Sequence, residues 1–364
     1  MEGNMKLDLQ TAFNLRKVSP SVVSVVLSIG DKIKCYGSGT LIKTDCDDNS
    51  NIATILTSAS VIPDLENSGA ETKVMVYLSD GKETTAKLVG RDVHYNLALI
   101  EITVNQTLPA AKFRWLDDTV FIDECSYKEI KSSMETQNIF PGDRIIALSR
   151  SHVGTYFAAA APGSYIMESP KFDYQELLYT TCVINESWIG GPVVNCNMEV
   201  IGVTFYSGGY ASFLPINVAM KWWEAIKLNR KLCHPSLGIG VGSLLLGNLE
   251  SVQDLVHKFP EASKGLVVLK VVPSSAAWAS GILEGDIIIK CDGKVLSSSL
   301  EFFEAVWERA EATVELVIVK VNHDSPLHVK LAVEDVAVEK FNSWPVDEVK
   351  PRAIWMVLED FFCN

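Results

Sequence analysis

The sequence has no long hydrophobic run and a deficit of positive charge. No stretch reaches the roughly 18 uninterrupted apolar residues that a membrane-spanning helix needs, and the best candidates, Val22 to Ile29 and Gly238 to Leu246, are short and contain Ser or Gly. The chain has 32 Lys and Arg against 45 Asp and Glu, a formal net charge of -13. Because nucleic acids and anionic membranes are polyanions, the mean field of an acidic chain repels them. The sequence predicts a soluble protein with neither as its primary partner.

Paired cysteines and targeting signals are also missing. The eight cysteines are scattered, without a CxxC pair or a Cys/His cluster at metal-ligand spacing. The first ten residues, MEGNMKLDLQ, have neither the apolar core of a secretory signal nor the Arg-rich pattern of an organellar one. These absences favour reduced thiols in the cytoplasm or nucleus. They predict no metal site and no cofactor.

The length and the apolar content predict two or three folded domains. The chain has 364 residues, of which 48% are hydrophobic, enough for each domain to bury a core. From Val18 to about Ile216, short runs such as SVVSVVLSI, ATILTSASVI and EVIGVTF alternate with turn residues, which is typical of an antiparallel barrel or sandwich. Turns are predicted at Asp80-Gly81, Gly142-Asp143 and Gly208-Gly209.

A change of period predicts a boundary helix between Pro215 and Leu232. In this segment Ala219, Trp222, Trp223, Ile226 and Leu232 fall near one helical face, with Asn217 as a candidate N-cap. A second unit follows, from about Pro235 to Ala337, with four strand-like runs, a hairpin turn at Asp292-Gly293 and a helical LEFFEAVWERA. The tail contains Trp344, Trp355, Phe361 and Phe362, and aromatic residues of this kind usually dock on a core.

Several motifs occur in an order that matches one family. They include YGSGTLI, ILTSASVI, VYLSDGKETTAKLVGRDVHYNLALIEI, FPGDRIIALS, INESWIGGPVVN and GILEGDIIIKCDGKVL. With these motifs the chain resembles the HtrA/DegP (protease Do-like) family over about residues 12 to 335. The resemblance implies a mainly β fold, a trypsin-like double antiparallel β-barrel followed by an α+β PDZ domain. The expected divisions are an N-terminal segment (1–11), a trypsin-like domain (12–233), a PDZ domain (234–337) and a tail (338–364).

The resemblance also locates the catalytic triad, and all three positions have changed. Active members carry a His in LTxAHVV, an Asp before LALL and a Ser in GNSGGP. Here Ser60 of ILTSASVI takes the place of the His, Asn96 of HYNLALI that of the Asp, and Ile189 of SWIGGP that of the Ser. Because the Gly-Gly-Pro frame after Ile189 is intact, a misalignment by one residue is improbable.

These substitutions predict the loss of catalysis. Serine-type hydrolysis needs a hydroxyl nucleophile, a base that takes its proton near neutral pH, and a carboxylate that orients the base. Ile189 has no heteroatom, the Ser60 hydroxyl is no base at neutral pH, and Asn96 offers a neutral amide. The oxyanion-hole region is degenerate as well, at Ser187, Trp188 and Gly190, and the bulk of Trp188 and Ile189 predicts a partly filled cleft. No residue is therefore assigned a catalytic role.

Catalysis by displaced residues is the alternative. Cys182 precedes the nucleophile turn, Ser187 lies two residues before Ile189, and His94 lies two residues before Asn96. None of them occupies a triad position. The sequence favours Cys182 as a small buried hydrophobic residue and His94 as a residue at the end of a strand.

The second unit contains the better-preserved binding apparatus. PDZ domains add a peptide's C-terminal strand to a sheet edge and capture its carboxylate with the backbone N–H groups of a short loop. In the family that loop resembles an apolar-Gly-apolar run ahead of the edge strand, matched here by Ser236, Leu237, Gly238 and Ile239. Gly238 would let the carboxylate approach the backbone, and Val241 would continue the pairing edge. The run could also serve only as the first strand of a core sheet.

The functional expectation is therefore a catalytically inactive HtrA-like protein that binds peptides or protein C-termini through its PDZ domain. The alternatives are a regulatory subunit in mixed oligomers with active homologues and an active endopeptidase with relocated residues. In relatives the segment before the barrel builds trimers through aromatic contacts, and Phe13 is the one aromatic residue there. A homotrimer or mixed oligomer is expected.

Overall fold

The computed structural model describes residues 7–47, 50–63, 72–119, 136–152, 158–168, 176–207, 210–230, 232 and 234–335. The predictions for the C-terminal tail and for the Gly208-Gly209 turn lie outside these residues. The helices are α1 (Leu9–Val18), α2 (Ile216–Lys227), α3 (Leu249–Lys258), α4 (Ala276–Ala279) and α5 (Ser299–Trp307).

The strands begin with those of the first unit: β1 (Val22–Ile29), β2 (Lys32–Asp47), β3 (Ser50–Ser58), β4 (Thr72–Tyr77), β5 (Glu83–Asp92), β6 (Leu97–Val104), β7 (Trp115–Asp117), β8 (Thr136–Asn138), β9 (Arg144–Arg150), β10 (Ala158–Ile166), β11 (Leu178–Thr180), β12 (Pro192–Val194), β13 (Val200–Ser207) and β14 (Tyr210–Pro215). The second unit has β15 (Pro235–Ser236), β16 (Ile239–Ser243), β17 (Leu266–Val271), β18 (Ile287–Cys291), β19 (Lys294–Val295), β20 (Thr313–Val319), β21 (Leu327–Ala332) and β22 (Glu334–Asp335).

Two closed antiparallel barrels confirm the expected trypsin-like fold. The first has the strand order β1-β2-β3-β6-β5-β4 and the second the order β10-β11-β14-β13-β12-β9. Each barrel closes around its own apolar cluster, and a third cluster lies between the barrels and α2. The turns at Asp80-Gly81 and Gly142-Asp143 are confirmed, with φ of +84° at Gly81 and +95° at Gly142. A left-handed backbone of this kind costs glycine little, which explains its use at both turns.

The boundary helix is confirmed, but the prediction of its cap was wrong. Asn217 lies inside α2, one residue after its start, and Pro215 occupies the N-cap position. The Asn217 side chain instead accepts from the backbone N–H of Leu116 at 2.9 Å and donates to the carbonyl of the same residue at 3.0 Å. These long-range bonds join α2 to β7, and a spacing rule for caps cannot anticipate them. Leu232 lies past the end of α2 and packs on the cluster between the barrels.

The second unit is a sheet with the strand order β16-β17-β18-β20-β21, covered by α3 and α5. The predicted hairpin at Asp292-Gly293 is confirmed, with φ of +48° and +79° at its two residues. A short ladder between β15 and β22 brings the two ends of this unit together. Among the described residues, none of the helices is long and apolar enough to cross a membrane. The exact divisions at residues 233 and 337 stay a prediction.

Helix α5 joins the two units. Phe302 and Val306 pack in the core of the second unit. Leu300 packs in the second barrel, whereas Phe303 and Trp307 pack on the cluster between the barrels. The helix is thus apolar on two faces because each face is buried against a different unit.

Candidate functional site

The fold brings together the three positions that the sequence resemblance aligns with a catalytic triad. Ser60 lies in the turn after β3, Asn96 in the turn before β6, and Ile189 in the turn before β12. Ser60 donates its hydroxyl to Asn96 Oδ1 at 2.9 Å. Ile189 lies near this pair, on the other side of Gly37. A Cβ at Gly37 would lie 2.5 Å from Cγ2 of Val61, the residue after Ser60, and 2.6 Å from the Ile189 carbonyl oxygen. These contacts place the three positions that the resemblance aligns with a catalytic triad close to one another.

Asn96 is the centre of a buried hydrogen-bond network. Its Oδ1 accepts from the Ser58 hydroxyl, the Ser60 backbone N–H and the Ser60 hydroxyl, each at 2.9 Å. Its backbone has φ of +52°, a left-handed conformation in which Asn and Asp are enriched. Among the described residues, its Nδ2 has no hydrogen-bond partner although it is buried. The side chain serves as an acceptor for two serines and orients no base.

Ile189 lies in a tight turn that the first barrel holds in place. Its carbonyl accepts from the Ser38 N–H at 2.8 Å, and the Ser38 hydroxyl donates to the carbonyl of Ser187 at 2.7 Å. The next residue, Gly190, has φ of +81°, and a Cβ there would lie 2.4 Å from Thr57 Oγ1 and 2.5 Å from the Ser38 carbonyl. Glycine is therefore required at 190 by the fold alone.

The backbone donors that would bind an oxyanion are engaged. Residues Glu186–Trp188 form a 3-10 turn whose cap is Asn185. The N–H groups of Ser187, Trp188 and Ile189 donate to Asn185 Oδ1 (3.0 Å), the Asn185 carbonyl (3.1 Å) and the Glu186 carbonyl (3.1 Å), respectively. An oxyanion hole needs donors aimed at the position where the negative charge develops. In this turn each of the three donors points at a partner within the turn itself.

The side chains of Trp188 and Ile189 pack against the cores of different barrels. The Trp188 ring packs in the core of the second barrel, while Ile189 is partly buried against the core of the first. A cavity of about 320 Å³ lies along the strands of the second barrel, with a lining that includes Tyr179, Cys182, Val183, Ile184, Tyr206 and Ala211.

The residues considered for relocated catalysis lie in unsuitable surroundings. Cys182 is buried in the second barrel, and burial raises the pKa of its thiol, which disfavours the nucleophilic thiolate. The Ser187 hydroxyl donates to Asn185 Oδ1 at 2.7 Å, an amide oxygen that is not a base near neutral pH. His94 is buried among aromatic rings, 4.8 Å from Tyr95 and 5.1 Å from His234 between centroids.

The predicted peptide-binding loop is built around a left-handed glycine. Gly238 has φ of +72°, and a Cβ there would lie 2.1 Å from Ser275 Cβ, so only glycine fits. Its N–H donates to Ser236 Oγ at 3.1 Å, a bond that an incoming carboxylate would have to replace. Leu237, Ile239 and Val241 are buried in the core of the second unit, and β16, which carries the last two, is the terminal strand of its sheet.

The space between β16 and α5 is named the peptide groove after its expected occupant. The first unit covers this space. Its lining combines residues of the second unit with His94, Tyr95, Asp118, Glu176 and Leu178 of the barrels. The space that remains is a cavity of about 70 Å³, far below the roughly 300 to 1,000 Å³ of ordinary ligand pockets. A peptide strand cannot enter this groove unless the two units separate.

A carboxylate of the barrels caps the helix that forms one wall of the groove. Asp118 accepts from the Ser298 hydroxyl and, at 3.1 Å, from the Leu300 N–H. An acidic side chain at a helix N-terminus is stabilised by hydrogen bonds from the first-turn N–H groups and by the helix dipole. Asp118 therefore fixes the position of α5 relative to the barrels.

His234 makes a second link between the units. Its Nε2 lies 2.9 Å from Asp92 Oδ2 at the end of β5, and both side chains are buried. Its backbone N–H donates to Asp335 Oδ1 at 2.9 Å, in the last strand of the second unit. The sequence analysis missed Asp92, Asp118 and His234, since their partners lie more than 100 residues away along the chain. The only signal was the occurrence of polar residues in segments that are otherwise apolar.

Within the described ranges, no group of three or more His, Cys, Asp or Glu side chains is placed to hold a metal ion.

Two family descriptions match the two units in order. Residues 37–203 match the Trypsin-like peptidase domain, and residues 235–331 match the PDZ domain. Both matches lie within the divisions expected from the sequence.

Curated relatives and solved structures agree with this arrangement. The chain is 27% identical to "Putative protease Do-like 14" of Arabidopsis thaliana, over 82% of this chain and 66% of the relative. It is also 27% identical to "Serine protease HTRA1" of Xenopus laevis, over 86% of this chain and 65% of the relative. The chain thus spans about two thirds of the length of these relatives.

The solved structures support the fold. "HtrA-type protease AlgW with tripeptide" matches with a TM-score of 0.55 at 20% identity, over 89% of this chain and 96% of that one. The serine endoprotease from Yersinia pestis matches with a TM-score of 0.50 at 22% identity, over 91% of this chain and all of that one.

Asn96 offers a test of the degenerate site. Replacing it with Ala (N96A) leaves three donors without their acceptor and puts Ala in a left-handed conformation, so we expect a loss of about 2 to 4 kcal/mol in the free energy of unfolding. Replacing it with Asp (N96D) keeps the acceptor and the backbone preference, and we expect near-native stability at pH 7. Urea denaturation of both variants gives the comparison.

The N96D carboxylate would accept the same three hydrogen bonds, which lower the pKa of a carboxyl group in the folded state. The stability that this carboxylate contributes is therefore present above its unfolded pKa of about 4. It is lost as the pH falls through the pKa of the carboxyl group in the folded state. Equal stability of N96A and N96D at pH 7 would contradict the network described here.

Proposed function

We propose that the chain, which has a trypsin-like domain followed by a PDZ domain, is an HtrA-like protein that binds peptides or protein C-termini without hydrolysing them. The observation that carries this proposal is the turn at Ile189, which has an alkyl side chain at the nucleophile position and engaged N–H groups from Ser187 to Ile189. In a comparable enzyme, loss of the nucleophile or the base alone costs on the order of 10⁶ in turnover.

The intact frame around the turn does not argue for activity. Gly190 is held by its positive φ and by contacts with Thr57 and Ser38. These constraints come from barrel packing and act whether or not a nucleophile is present. Persistence of the Gly-Gly-Pro run is therefore expected in a protein that keeps the fold after losing the chemistry.

We expect no proteolysis by the wild-type chain. Incubation with casein and with a fluorophosphonate probe should give neither fragments nor a labelled serine, while an active HtrA relative treated in parallel gives both. Cleavage by the wild-type chain that persists in Ile189→Ala, or a trapped acyl adduct in the trypsin-like domain, would refute the proposal.

Restoring the three triad side chains tests whether the backbone of the 3-10 turn alone still prevents hydrolysis. The triple variant with Ser60→His, Asn96→Asp and Ile189→Ser regains the three side chains but keeps the 3-10 turn. We expect its labelling by the probe to stay at least about 100-fold slower than that of the active relative, the cost of one missing oxyanion donor. Labelling at the relative's rate would show that the turn rearranges readily.

Peptide binding is assigned to the loop Ser236 to Ile239 and to the β16 edge. The loop has the left-handed Gly238 that close approach of a carboxylate requires, and β16 is the terminal strand of its sheet, to which a peptide strand could be added once the barrels withdraw. Leu237, Ile239 and Val241 provide apolar walls, which favours a peptide with an apolar C-terminal residue.

We expect a peptide to need a free C-terminal carboxylate in order to bind. A display of C-terminal peptides against the full chain should select binders whose amidated versions bind at least about tenfold more weakly, because the amide removes the charge that the loop captures. Ser236→Ala removes the acceptor that competes for the Gly238 N–H and should tighten binding of the acids only. Ser280→Ala, an exposed serine outside the loop, is the matched control. Equal binding of acids and amides would exclude carboxylate capture.

A regulatory subunit in mixed oligomers is the second candidate, and one observation favours it. Helix α1 presents Leu9 and Phe13 on one face, with 91% and 58% of their surfaces exposed. Adjacent exposed apolar side chains on a helix ahead of the barrel are suited to burial against another subunit. We propose α1 as part of an assembly surface for copies of this chain or for active homologues.

Phe13→Ala should weaken such an assembly. By size-exclusion chromatography with light scattering, we expect the wild-type chain to form an oligomer and the variant to shift toward monomer. Trp278→Ala, which changes a side chain equally exposed (58%) but in the second unit, is the matched control. A wild-type chain that is monomeric at all concentrations, and that does not co-purify with an active homologue, would exclude both forms of assembly.

A further inference from the structure

The covered groove contains an unusual concentration of ionisable side chains. Asp118, Glu176, His94 and His234 all line the cavity between β16, α5 and the barrels. Apart from these four, the remaining wall is made mainly of aliphatic and aromatic side chains. Asp118 and Glu176 are partly buried, so these carboxyl groups are partly shielded from water when the units are closed and become more hydrated when they separate.

Asp118 has the strongest structural role among them. It caps α5 by accepting from Ser298 and Leu300, and its charge interacts with Tyr165 and Asp117. Burial raises the pKa of Asp118 above its usual range, and the repulsion from Asp117 adds to this effect. Hydrogen bonds from Ser298, Leu300 and Ser299 act in the opposite direction.

Glu176 lines the same cavity. Burial raises its pKa from 4.5 to about 7, and the attraction of the His234 ring only partly offsets this effect. A neutral carboxylic acid can remain in an apolar cavity at little cost, whereas a carboxylate loses its hydration there.

The other charged groups at this interface are already paired. Asp92 lies against His234 Nε2 and accepts from the Tyr95 N–H, and Asp335 accepts from the His234 N–H. Glu301, in the first turn of α5, is paired with Lys294 at 2.7 Å. Asp118 and Glu176 are therefore the two carboxyl groups whose charge is least compensated in the closed arrangement.

We propose that closure of the peptide groove is coupled to proton uptake at Asp118 and Glu176, so that the groove opens as the pH rises through the neutral range. The consequence for ligand binding rests on the proposed peptide-binding function, whereas the opening itself does not. The interface thus acts as a proton-controlled gate on the PDZ groove.

The direction follows from the difference between the two states. Each carboxyl has a higher pKa in the closed state than in the open state, so its contribution to closure is present at low pH and is lost as the pH rises through the closed-state value. For Glu176 alone, with values of 4.5 and about 7, the closing equilibrium constant should fall on the order of tenfold between pH 5.5 and 8. Asp118 acts in the same direction.

Small-angle X-ray scattering of the full chain, without peptide, tests the gate. We expect the radius of gyration to increase between pH 5.5 and 8.5 at constant oligomeric state. The double variant Asp118→Asn, Glu176→Gln mimics the protonated carboxyls and should stay compact across the whole range. The control is Glu224→Gln, which removes a carboxylate from the exposed face of α2. This variant should behave as the wild type.

Each result decides for or against the gate. A wild-type radius that does not change with pH overturns it, and this series alone is decisive if the double variant fails to fold. An expansion of the same size in the double variant also overturns it, because groups other than these two carboxyls would then drive the opening. Opening with pH but no binding of any C-terminal peptide would refute the proposed function and leave the gate standing.

Discussion

The structure depends on the burial of α5 against two cores at once. Phe302 and Val306 belong to the core of the PDZ domain, whereas Leu300, Phe303 and Trp307 belong to those of the barrels. A helix that is apolar on both faces is unstable in water unless both faces are covered. The same helix forms one wall of the peptide groove, so the packing that joins the domains also determines whether a peptide can enter.

The turn at Ile189 is held in place by contacts that belong to barrel packing. Gly190 is kept in its left-handed conformation by contacts that belong to the barrel, and Ser38 holds the turn through bonds to Ser187 and Ile189. The nucleophile, the base and free oxyanion donors contribute nothing to these contacts. Such groups can be replaced while the frame persists, because hydrolysis depends on particular heteroatoms and barrel packing depends on shape.

Much of the local structure could be predicted from the sequence. The turns at Asp80-Gly81 and Asp292-Gly293 follow from residues that tolerate positive φ, and α2 and α5 follow from helical periodicity. The role of Asn217 was predicted wrongly because its side chain bonds to Leu116, a partner about one hundred residues earlier in the chain. Local rules describe neighbours along the chain, and contacts of this length follow from the packing of complete domains.

The sequence by itself determined that no atom at position 189 can attack a carbonyl and that the loop around Gly238 resembles a carboxylate-binding turn, because both conclusions depend only on the chemistry of the side chains. The tertiary structure decided that the N–H groups of residues 187 to 189 are engaged within their own turn. It also decided that Asp118 and Glu176 lie over the peptide groove. These features arise from segments that are distant in the chain and are brought together only when the barrels close and the two domains pack on α5.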